Sequence, residues 1–353
     1  MIKKNCIVIC LLVVLAMMIS LTGCQSGATQ SEQASSAAPS VTTSAATESS
    51  TAVSAATESS TAKKSYKVGV AQTSINHPFW VAFVKGLQDT AKQYGMDLDI
   101  QNGQDDPITQ TKQIETFIAQ KKDMIIVMAC SVDSLVPAVK ECNAAKIPVL
   151  TINRVLGDGA EIVSYVGCDD EKGGQLQGKA AQDMLGGKGN ILLVQGSAGA
   201  SDTTMRTKGF EDYIAANCPD IKIAAKQNCD HDSNKTMNFI QNALMRFKKG
   251  EIDGIVAQGP YDAIAVVKQI KETGRTELLG KIIAFDYPKA VQDAITAGDL
   301  YATIDQDPVL EAKLGVEAAF KSLNGEKVEN PIYIDLPIVT KDNASTITAA
   351  WVD

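Results

Sequence analysis

The chain has 353 residues and a formal net charge of −8, and its 33 Lys and Arg residues never form a run of five or more. This acidic balance with dispersed basic residues argues against nucleic-acid binding. Residues 63–353 lie beyond a low-complexity N-terminal part and are enough for two domains, each with its own core.

The N-terminus has the pattern of a targeting segment. Two lysines precede the apolar run 7–21, which is shorter than the roughly 20 residues of a membrane-spanning helix. The run ends in the tetrapeptide Leu21–Cys24, which resembles the lipobox of bacterial lipoproteins. The resemblance implies that residues 1–23 are a signal peptide and that Cys24 becomes the lipidated first residue. An ordinary signal peptide that happens to contain a cysteine is the alternative.

A tether is predicted to follow the signal peptide. Residues 26–62 are almost entirely Ser, Thr, Ala, Gln and Glu, and the segment 44–52 recurs as 54–62. Such a composition buries too little apolar surface to offset the entropy of ordering. We therefore expect residues 24–65 to be a disordered tether. With lipid on Cys24, it would hold the protein at the extracytoplasmic face of the bacterial cell membrane.

Five cysteines follow the tether without a CxxC or other close metal-ligand spacing: Cys130, Cys142, Cys168, Cys218 and Cys229. Because an odd number cannot all pair, we expect most of them to be small buried apolar residues. A Cys218–Cys229 disulfide stays open for an exported protein. We expect no cofactor and no metal site.

Short apolar runs alternate with amphipathic stretches from Tyr66 onward, a pattern typical of parallel α/β architecture. The predicted strands form two series, one within residues 66–166 and one within residues 190–304. Glycines expected to cap the intervening helices are Gly95, Gly186, Gly274 and Gly325. Each series predicts a lobe with a parallel sheet covered by helices on both faces. Ligands bind outside the carboxyl ends of such strands.

Polar and aromatic residues follow the predicted strands. They include His77, Phe79, Trp80, Asn153, Arg154, Arg206, His231, Asp286 and Gln306. Further strand-end residues are Asn76, Cys130, Ser131, Asp133, Ser201, Asp202, Asp232, Gly259, Pro260 and Tyr261. Carboxylates, amides and guanidinium groups bind sugar hydroxyls strongly, and flat rings would cover the C–H faces of a sugar. Taken singly, Trp80 would equally suit the core, Arg154 a surface ion pair and Asp232 a helix N-cap.

The same segments carry a family resemblance that is co-linear from Tyr66 to Lys341. Its motifs are Asn76–Trp80, Ile147–Arg154, Met205–Phe210, Ile283–Asp286, Ala302–Gln306 and the turn Gly325–Val328. On these motifs the chain resembles the ribose-binding protein family, the pentose and hexose receptors of bacterial ABC importers. The resemblance implies the type I periplasmic binding protein fold, with two doubly wound parallel-sheet lobes joined by a three-crossing hinge.

The resemblance also implies domain limits and a binding site. Lobe 1 is expected to comprise residues 66–167 and 307–335, and lobe 2 residues 168–306 and 336–353. The resemblance selects nine ligand-binding candidates among the strand-end residues: His77, Phe79, Trp80, Asn153, Arg154, Arg206, His231, Asp286 and Gln306. Six of them, Phe79, Trp80, Arg154, Arg206, Asp286 and Gln306, match the sugar contacts of the family in residue type or nearly so. The positions that depart from the ribose pattern are His77, Asn153, His231 and Gly259. Because of these departures the identity of the sugar is left open, and Gly259 would make room for a larger ligand.

The implied function is that of a substrate-binding lipoprotein, not an enzyme. A monomer would capture a monosaccharide or sugar-like polyol by hinge closure and dock on an ABC permease. An enzyme is disfavoured because the turn Gly196–Gly199 lacks the spacing of a dinucleotide fingerprint. A regulator related to the lactose repressor would need a DNA-binding helix pair where residues 1–65 supply a signal and a tether. A subunit that presents sugar to a membrane histidine kinase or chemoreceptor stays open.

Overall fold

The computed structural model describes residues 65–349 and residue 351, which belong to one compact unit, Thr61–Asp353. The predicted signal peptide, the lipidated Cys24 and nearly all of the tether lie outside the described residues. Within the described part, no helix combines the length and the apolar character that crossing a membrane requires.

Lobe 1 is built on a six-stranded sheet. Its strands are β1 (Lys67–Gln72), β2 (Asp97–Asn102), β3 (Met124–Val127), β4 (Val149–Ile152), β5 (Tyr165–Gly167) and β11 (Ile332–Tyr333). They are all parallel, in the order β11-β5-β4-β3-β1-β2. The covering helices are α1 (Pro78–Tyr94), α2 (Pro107–Ala119), α3 (Val136–Ala144) and α9 (Pro308–Leu323). One buried cluster joins α1 and α9 to the sheet, and another joins α2 and α3 to its opposite face.

Lobe 2 repeats this plan. Its strands are β6 (Lys188–Gln195), β7 (Asp220–Asn228), β8 (Gly254–Ala257), β9 (Ile282–Phe285), β10 (Ala302–Ile304) and β12 (Ile338–Thr340). Their order is β12-β10-β9-β8-β6-β7, and only β12 runs antiparallel to its neighbour among these strands. The helices are α4 (Asp170–Leu185), α5 (Ser201–Asn217), α6 (Ser233–Arg246), α7 (Pro260–Thr273) and α8 (Lys289–Ala297).

The two sheets match strand for strand. β1 and β6 are equivalent, as are β4 and β9, and β5 and β10, because each pair holds the same place in the strand order. The chain passes from lobe 1 to lobe 2 after β5, returns after β10, and crosses again after β11. The predicted fold class, two doubly wound α/β lobes with a three-crossing hinge, is confirmed.

The end of the chain differs from the predicted lobe 2 range, 336–353. The ring of Trp351 packs into the core of lobe 1, with its centre 5.6 Å from that of Phe79. Its carbonyl accepts the N–H of Lys289 in lobe 2 at 3.2 Å. A large indole ring is stabilised where it finds apolar surface, and here α1 supplies that surface. Residue 351 therefore links both lobes instead of belonging to lobe 2 alone.

Local capping chemistry sets the helix ends. Gly95, Gly186 and Gly274 are the C-caps of α1, α4 and α7, and all three adopt the left-handed conformation as expected. Gly325 is left-handed too, but Asn324 is the C-cap of α9. Helix α8, absent from the sequence-based prediction, also ends at a left-handed glycine, Gly298.

All five cysteines of the described residues are free, so the Cys218–Cys229 disulfide is not formed. Four of them are buried and Cys130 is half-buried. Burial raises the pKa of the Cys142 and Cys229 thiols to about 11. These side chains therefore act as small apolar groups, as expected.

Candidate functional site

A cleft of about 630 Å³ lies at the carboxyl ends of the strands of both sheets. All nine candidates from the sequence line it: His77, Phe79, Trp80, Asn153 and Arg154 from lobe 1, Arg206, His231 and Asp286 from lobe 2, and Gln306 from a crossing. The sequence-based set omitted Ser74, Asp105, Ser197, Asp202, Asp230, Gln258 and Pro260. Of these, Asp202 and Pro260 were recognisable as strand-end residues, but nothing in the sequence separated them from their neighbours.

Two lining residues at equivalent strand ends share an unusual backbone. Asn153 follows β4 with φ 65°, and Asp286 follows β9 with φ 66°. The Asn153 N–H donates to Val166 O at 2.8 Å, and the Asp286 N–H donates to Ile304 O at 2.7 Å. Asn and Asp tolerate this left-handed conformation better than other side chains. Both strands thus end in the same geometry at the cleft.

Lobe 1 supplies an aromatic wall. Phe79 and Trp80 stand in the first turn of α1 with their rings edge to face at 4.9 Å. Trp80 packs in the same way on Phe83 at 5.5 Å. The two rings are buried in the core of lobe 1 and also line the cleft, so their core role and their site role coexist. The Arg154 guanidinium lies 5.7 Å from the centre of the Trp80 ring, within cation–π range.

A hydrogen-bonded chain of side chains forms the hinge side of the cleft. Asn153 Nδ2 donates to Glu311 Oε2 at 2.9 Å, and Gln306 Nε2 donates to Glu311 Oε1 at 2.8 Å. Arg206 Nη2 donates to Gln306 Oε1 at 2.7 Å, and Arg206 Nε donates to Asp170 Oδ1 at 2.7 Å. This series of hydrogen bonds connects the end of β4 in lobe 1 with α5 in lobe 2. The amides of Asn153 and Gln306 are therefore held mainly by the protein.

Arg206 is locked in place from several sides. Its guanidinium lies 3.5 Å from the centre of the Phe285 ring, and Nη1 donates to Gln258 O at 3.2 Å. Burial alone would lower its pKa, but the neighbouring carboxylates, led by Asp170, raise the pKa above its ordinary value. This arginine is a fixed, permanently charged part of lobe 2.

Arg154 instead reaches across the cleft. Its Nη2 donates to Asp202 Oδ2 at 3.4 Å, which joins lobe 1 to α5. Burial raises the pKa of Asp202, but Arg154 and then Arg206 outweigh it and bring the pKa to about 2. Nearby, the N–H of Val155 donates to Ser201 Oγ at 3.1 Å. These contacts between lobes describe a closed cleft.

Asp202 is thus the carboxylate that neutralises the charge of Arg154. Asp232 has a structural role as a helix N-cap. Asp232 accepts N–H groups of Asn234 and Lys235 and N-caps α6 outside the cleft. Arg154 is buried, so the surface ion pair considered for it is excluded.

Several buried polar atoms around the cleft have no partner. They are His77 Nε2, Arg154 Nε, Asp202 Oδ1 and Asp286 Oδ1. Burial raises the pKa of Asp286 to about 7 although the Arg206 charge opposes it. Buried polar groups of proteins normally have hydrogen-bond partners, because each buried group left without one costs about 1–3 kcal/mol. A group of four at one cleft indicates a site built for a polar ligand.

The two histidines approach each other from opposite lobes, with ring centres 6.2 Å apart. His77 N-caps α1, and its Nδ1 accepts the N–H of Phe79 at 3.3 Å. His231 Nδ1 lies 2.9 Å from Asp262 Oδ2. The His231 ring fits against Gly196 and Gly259, where an added Cβ would lie 2.5 Å from a ring nitrogen.

Within residues 65–349, no group of three or more His, Cys, Asp or Glu side chains is arranged to hold a metal ion.

The model of the periplasmic binding protein domain matches residues 68–327. The ribose import binding protein of Bacillus subtilis is 30% identical over 279 residues, which cover 79% of this chain and 88% of that protein. The xylitol-binding protein of Mycolicibacterium smegmatis is 33% identical over 260 residues, 73% of each chain.

Solved structures give the same picture. A solute-binding protein of an Actinobacillus succinogenes ABC transporter, with bound D-allose, is 26% identical with a TM-score of 0.72 and covers 80% of this chain and all of its own. One from Bacillus halodurans with bound myo-inositol is 25% identical with a TM-score of 0.74, covering 80% of this chain and 96% of its own. The chain therefore belongs to the periplasmic binding protein domain family and to its ribose-binding-protein-like members.

Proposed function

We propose that the protein captures a neutral monosaccharide or sugar-like polyol in this cleft and delivers it to an ABC permease. The observation that carries the proposal is the set of unpartnered polar atoms facing an aromatic wall. A sugar hydroxyl both donates and accepts hydrogen bonds, while the C–H faces of a sugar ring are apolar. Asp286 and Asp202 offer acceptors, Arg154 offers a donor, and Phe79 and Trp80 offer flat surfaces.

The charges in the cleft favour a neutral ligand over a sugar acid. Arg206 is paired with Asp170 at 2.7 Å and Arg154 with Asp202 at 3.4 Å. Both arginines are thus neutralised by the protein itself. Asp286 adds a carboxyl whose Oδ1 has no partner. The ionised form of this carboxyl would repel an anionic ligand, whereas a hydroxyl can donate a hydrogen bond to it.

The relatives support this ligand class. Ribose and xylitol appear in the names of the two relatives described above, and D-allose and myo-inositol are bound in the two structures. All four are neutral polyhydroxylated molecules. The Bacillus subtilis relative is an import binding protein and the Actinobacillus succinogenes protein belongs to an ABC transporter, which supports delivery to a permease.

A thermal-shift panel on residues 61–353 tests the ligand class. Pentoses, hexoses, polyols and sugar acids are compared at high concentration. A ligand at 1,000 times its Kd stabilises the native state by about 4 kcal/mol, which raises Tm by roughly 8–16 °C. Shifts from neutral compounds are expected. If only anions raise Tm, the neutral-sugar proposal fails, and if no compound does, binding of this class is refuted.

Membrane anchoring through Cys24 is a separate part of the proposal, supported by the tetrapeptide Leu21–Cys24. Cys24→Ala in the full chain should move the protein from the membrane fraction to the soluble or secreted fraction. Cys6→Ala, in the same signal segment, serves as the control and should leave the membrane fraction unchanged. Membrane association that persists in Cys24→Ala would argue against a lipid anchor.

A further inference from the structure

Glu311 is a fully buried acid in the first turn of α9, just after the second crossing between the lobes. Each of its two oxygens accepts one amide N–H. Oε1 accepts from Gln306 at 2.8 Å, and Oε2 accepts from Asn153 at 2.9 Å. The hydrogen-bond partners of this acid are therefore neutral amides and not a cation, and both amides belong to residues that line the cleft.

The amide of Gln306 has only one orientation. Its Oε1 accepts from Arg206 Nη2 at 2.7 Å, and an arginine side chain has no acceptor to offer in exchange. Arg206 is itself fixed by Asp170 and by the face of the Phe285 ring. A Gln306 amide turned by 180° would set one N–H against another. Gln306 therefore always donates to Oε1 of Glu311, and a proton bound by this acid is placed on Oε2.

The amide of Asn153 has two orientations. Half a turn about its last side-chain bond exchanges Oδ1 and Nδ2 and leaves the rest of the residue in place. When Glu311 is ionised, Nδ2 donates to Oε2, which is the arrangement in the structure. When Oε2 carries a proton it is a donor, and it needs Oδ1 as its partner. Among the described residues, no donor contacts the Oδ1 of Asn153 in the present arrangement, so the atom turned away from Glu311 is open to the cleft.

We propose that the proton on Glu311 decides which end of the Asn153 amide faces the ligand. The ionised acid leaves the acceptor Oδ1 toward the cleft, and the protonated acid leaves the donor Nδ2. Glu311 is then a positioning residue that sets hydrogen-bond specificity without touching the ligand. A sugar hydroxyl suits both forms because it donates and accepts, whereas an ether oxygen or a fluorine only accepts and suits the protonated form alone. This inference rests on the proposed function, since it concerns the group offered to the sugar or polyol.

The surroundings of Glu311 bring this change close to neutral pH. Burial is the largest cause and raises the pKa of Glu311 to about 8, although the bonds from Asn153 and Gln306 oppose it. The titratable and charged groups that face this acid from neighbouring elements are Tyr165 in β5, Cys168 and Asp170 at the start of α4, Arg206 in α5 through Gln306, and Asp286 after β9. The two aspartates raise the pKa further. The cleft therefore offers the Asn153 donor well below about pH 8 and the acceptor well above it.

Carbon NMR of residues 61–353 without ligand tests the change of orientation directly. With labelled Glu and Asn side chains, the carboxyl carbon of Glu311 and the amide carbon of Asn153 should shift together with a midpoint near pH 8. Glu311→Gln imitates the protonated acid at every pH, because its oxygen accepts from Gln306 and its N–H donates to Asn153 Oδ1. The shift of Asn153 should be absent in this variant. Glu317→Gln is the matched control on α9, since Glu317 contacts Tyr94 outside the cleft, and it should keep the shift.

Calorimetric titration at about pH 6 and about pH 9.5 measures the consequence for binding. The probes are D-ribose, D-allose and myo-inositol, each compared with analogues in which one hydroxyl is replaced by fluorine. For one analogue of a bound probe, the loss of affinity relative to the parent should be roughly tenfold greater at the higher pH, where Oδ1 faces an atom that cannot donate. In Glu311→Gln that loss should be the same at both pH values, while Glu317→Gln should keep the difference.

A second variant covers the case in which Glu311→Gln does not fold. Glu311→Met has a similar volume and neither oxygen, so it too should remove the shift of Asn153. A shift of Asn153 that persists without Glu311, or equal losses at both pH values for every fluorinated analogue, would overturn the inference. If the unsubstituted protein binds none of the probes, the proposed function fails, and the carbon shifts of the ligand-free protein still decide whether Glu311 orients Asn153.

Discussion

The ends of β4 and β9 are the same structural position in the two lobes, yet they do different work. Asn153 and Asp286 have almost identical φ values and the same backbone bond to the next strand. The side chain of Asn153 is engaged with Glu311, which ties lobe 1 to the hinge. The side chain of Asp286 keeps an unpartnered oxygen in the cleft. The same backbone geometry thus holds an amide bound by Glu311 in lobe 1 and, in our proposal, a ligand-binding carboxyl in lobe 2.

The two arginines show the same division with the lobes exchanged. Arg206, in lobe 2, is held by Asp170, Gln306 and the face of Phe285. Arg154, in lobe 1, has a long contact to Asp202 of the opposite lobe and an unpartnered Nε. Residue type alone therefore does not decide which polar group stabilises the protein and which is available to a ligand. The contacts around each group decide it.

The largest expected effect tests whether Arg206 contributes more to stability than Arg154. Arg206→Leu leaves Asp170 buried without its partner, so the free energy of unfolding should fall by about 3–5 kcal/mol. Without ligand, Arg154→Leu should lower the free energy of unfolding by less than about 1 kcal/mol, because the cleft can open and expose the Asp202 carboxylate to water. Chemical denaturation of the ligand-free protein measures both. Equal losses would mean that Arg154 is as structural as Arg206.

Asp286→Asn is a sharper test of the strand ends, because it copies the residue found at the equivalent position of lobe 1. The new residue suits the left-handed backbone, so folding should survive. Loss of a charge-assisted acceptor should weaken binding of a neutral sugar by roughly 10–100-fold in calorimetric titration. Asp305→Asn is the matched control, since Asp305 is a buried acid that does not line the cleft. An equal loss in the control would show that Asp286 acts through stability.

The pH dependence of stability follows from the same acids. Burial raises the pKa of Asp286 and Asp305 to about 7 and that of Glu311 to about 8. Between about pH 4 and these values the native protein holds protons that the unfolded chain has released, so stability falls as pH rises. Asp305→Asn should therefore raise the free energy of unfolding at pH 8 by about 1–2 kcal/mol, and far less at pH 5. The same gain at both pH values would contradict the raised pKa of Asp305.

Much of this arrangement could be predicted from the sequence because it depends on local patterns. Alternating strands and helices predicted the two lobes, and the rule about strand ends together with the family resemblance placed nine distant residues at one cleft. Helix α8 was not predicted, although α3 has the same length of nine residues. Glu311 and Asp170 were missed because they stand inside helices, where an acid is usually exposed. His231 is paired with Asp262, 31 residues further on, and no local signal links the two residues.

The smallest expected effect separates the two tryptophans, and it probes the aromatic wall of lobe 1. Trp80 lines the cleft, whereas Trp351 lies behind it with Phe79 between. Binding of a sugar should change the polarity around Trp80 directly, and Trp351 only through movement of the lobes. Trp80→Phe should therefore abolish most of the emission change caused by saturating sugar, and Trp351→Phe should keep most of it. Because Trp351 contacts both lobes, a residual change in Trp80→Phe would report closure of the cleft. If the whole change instead disappears in Trp351→Phe, the wall formed by α1 is not where the sugar binds.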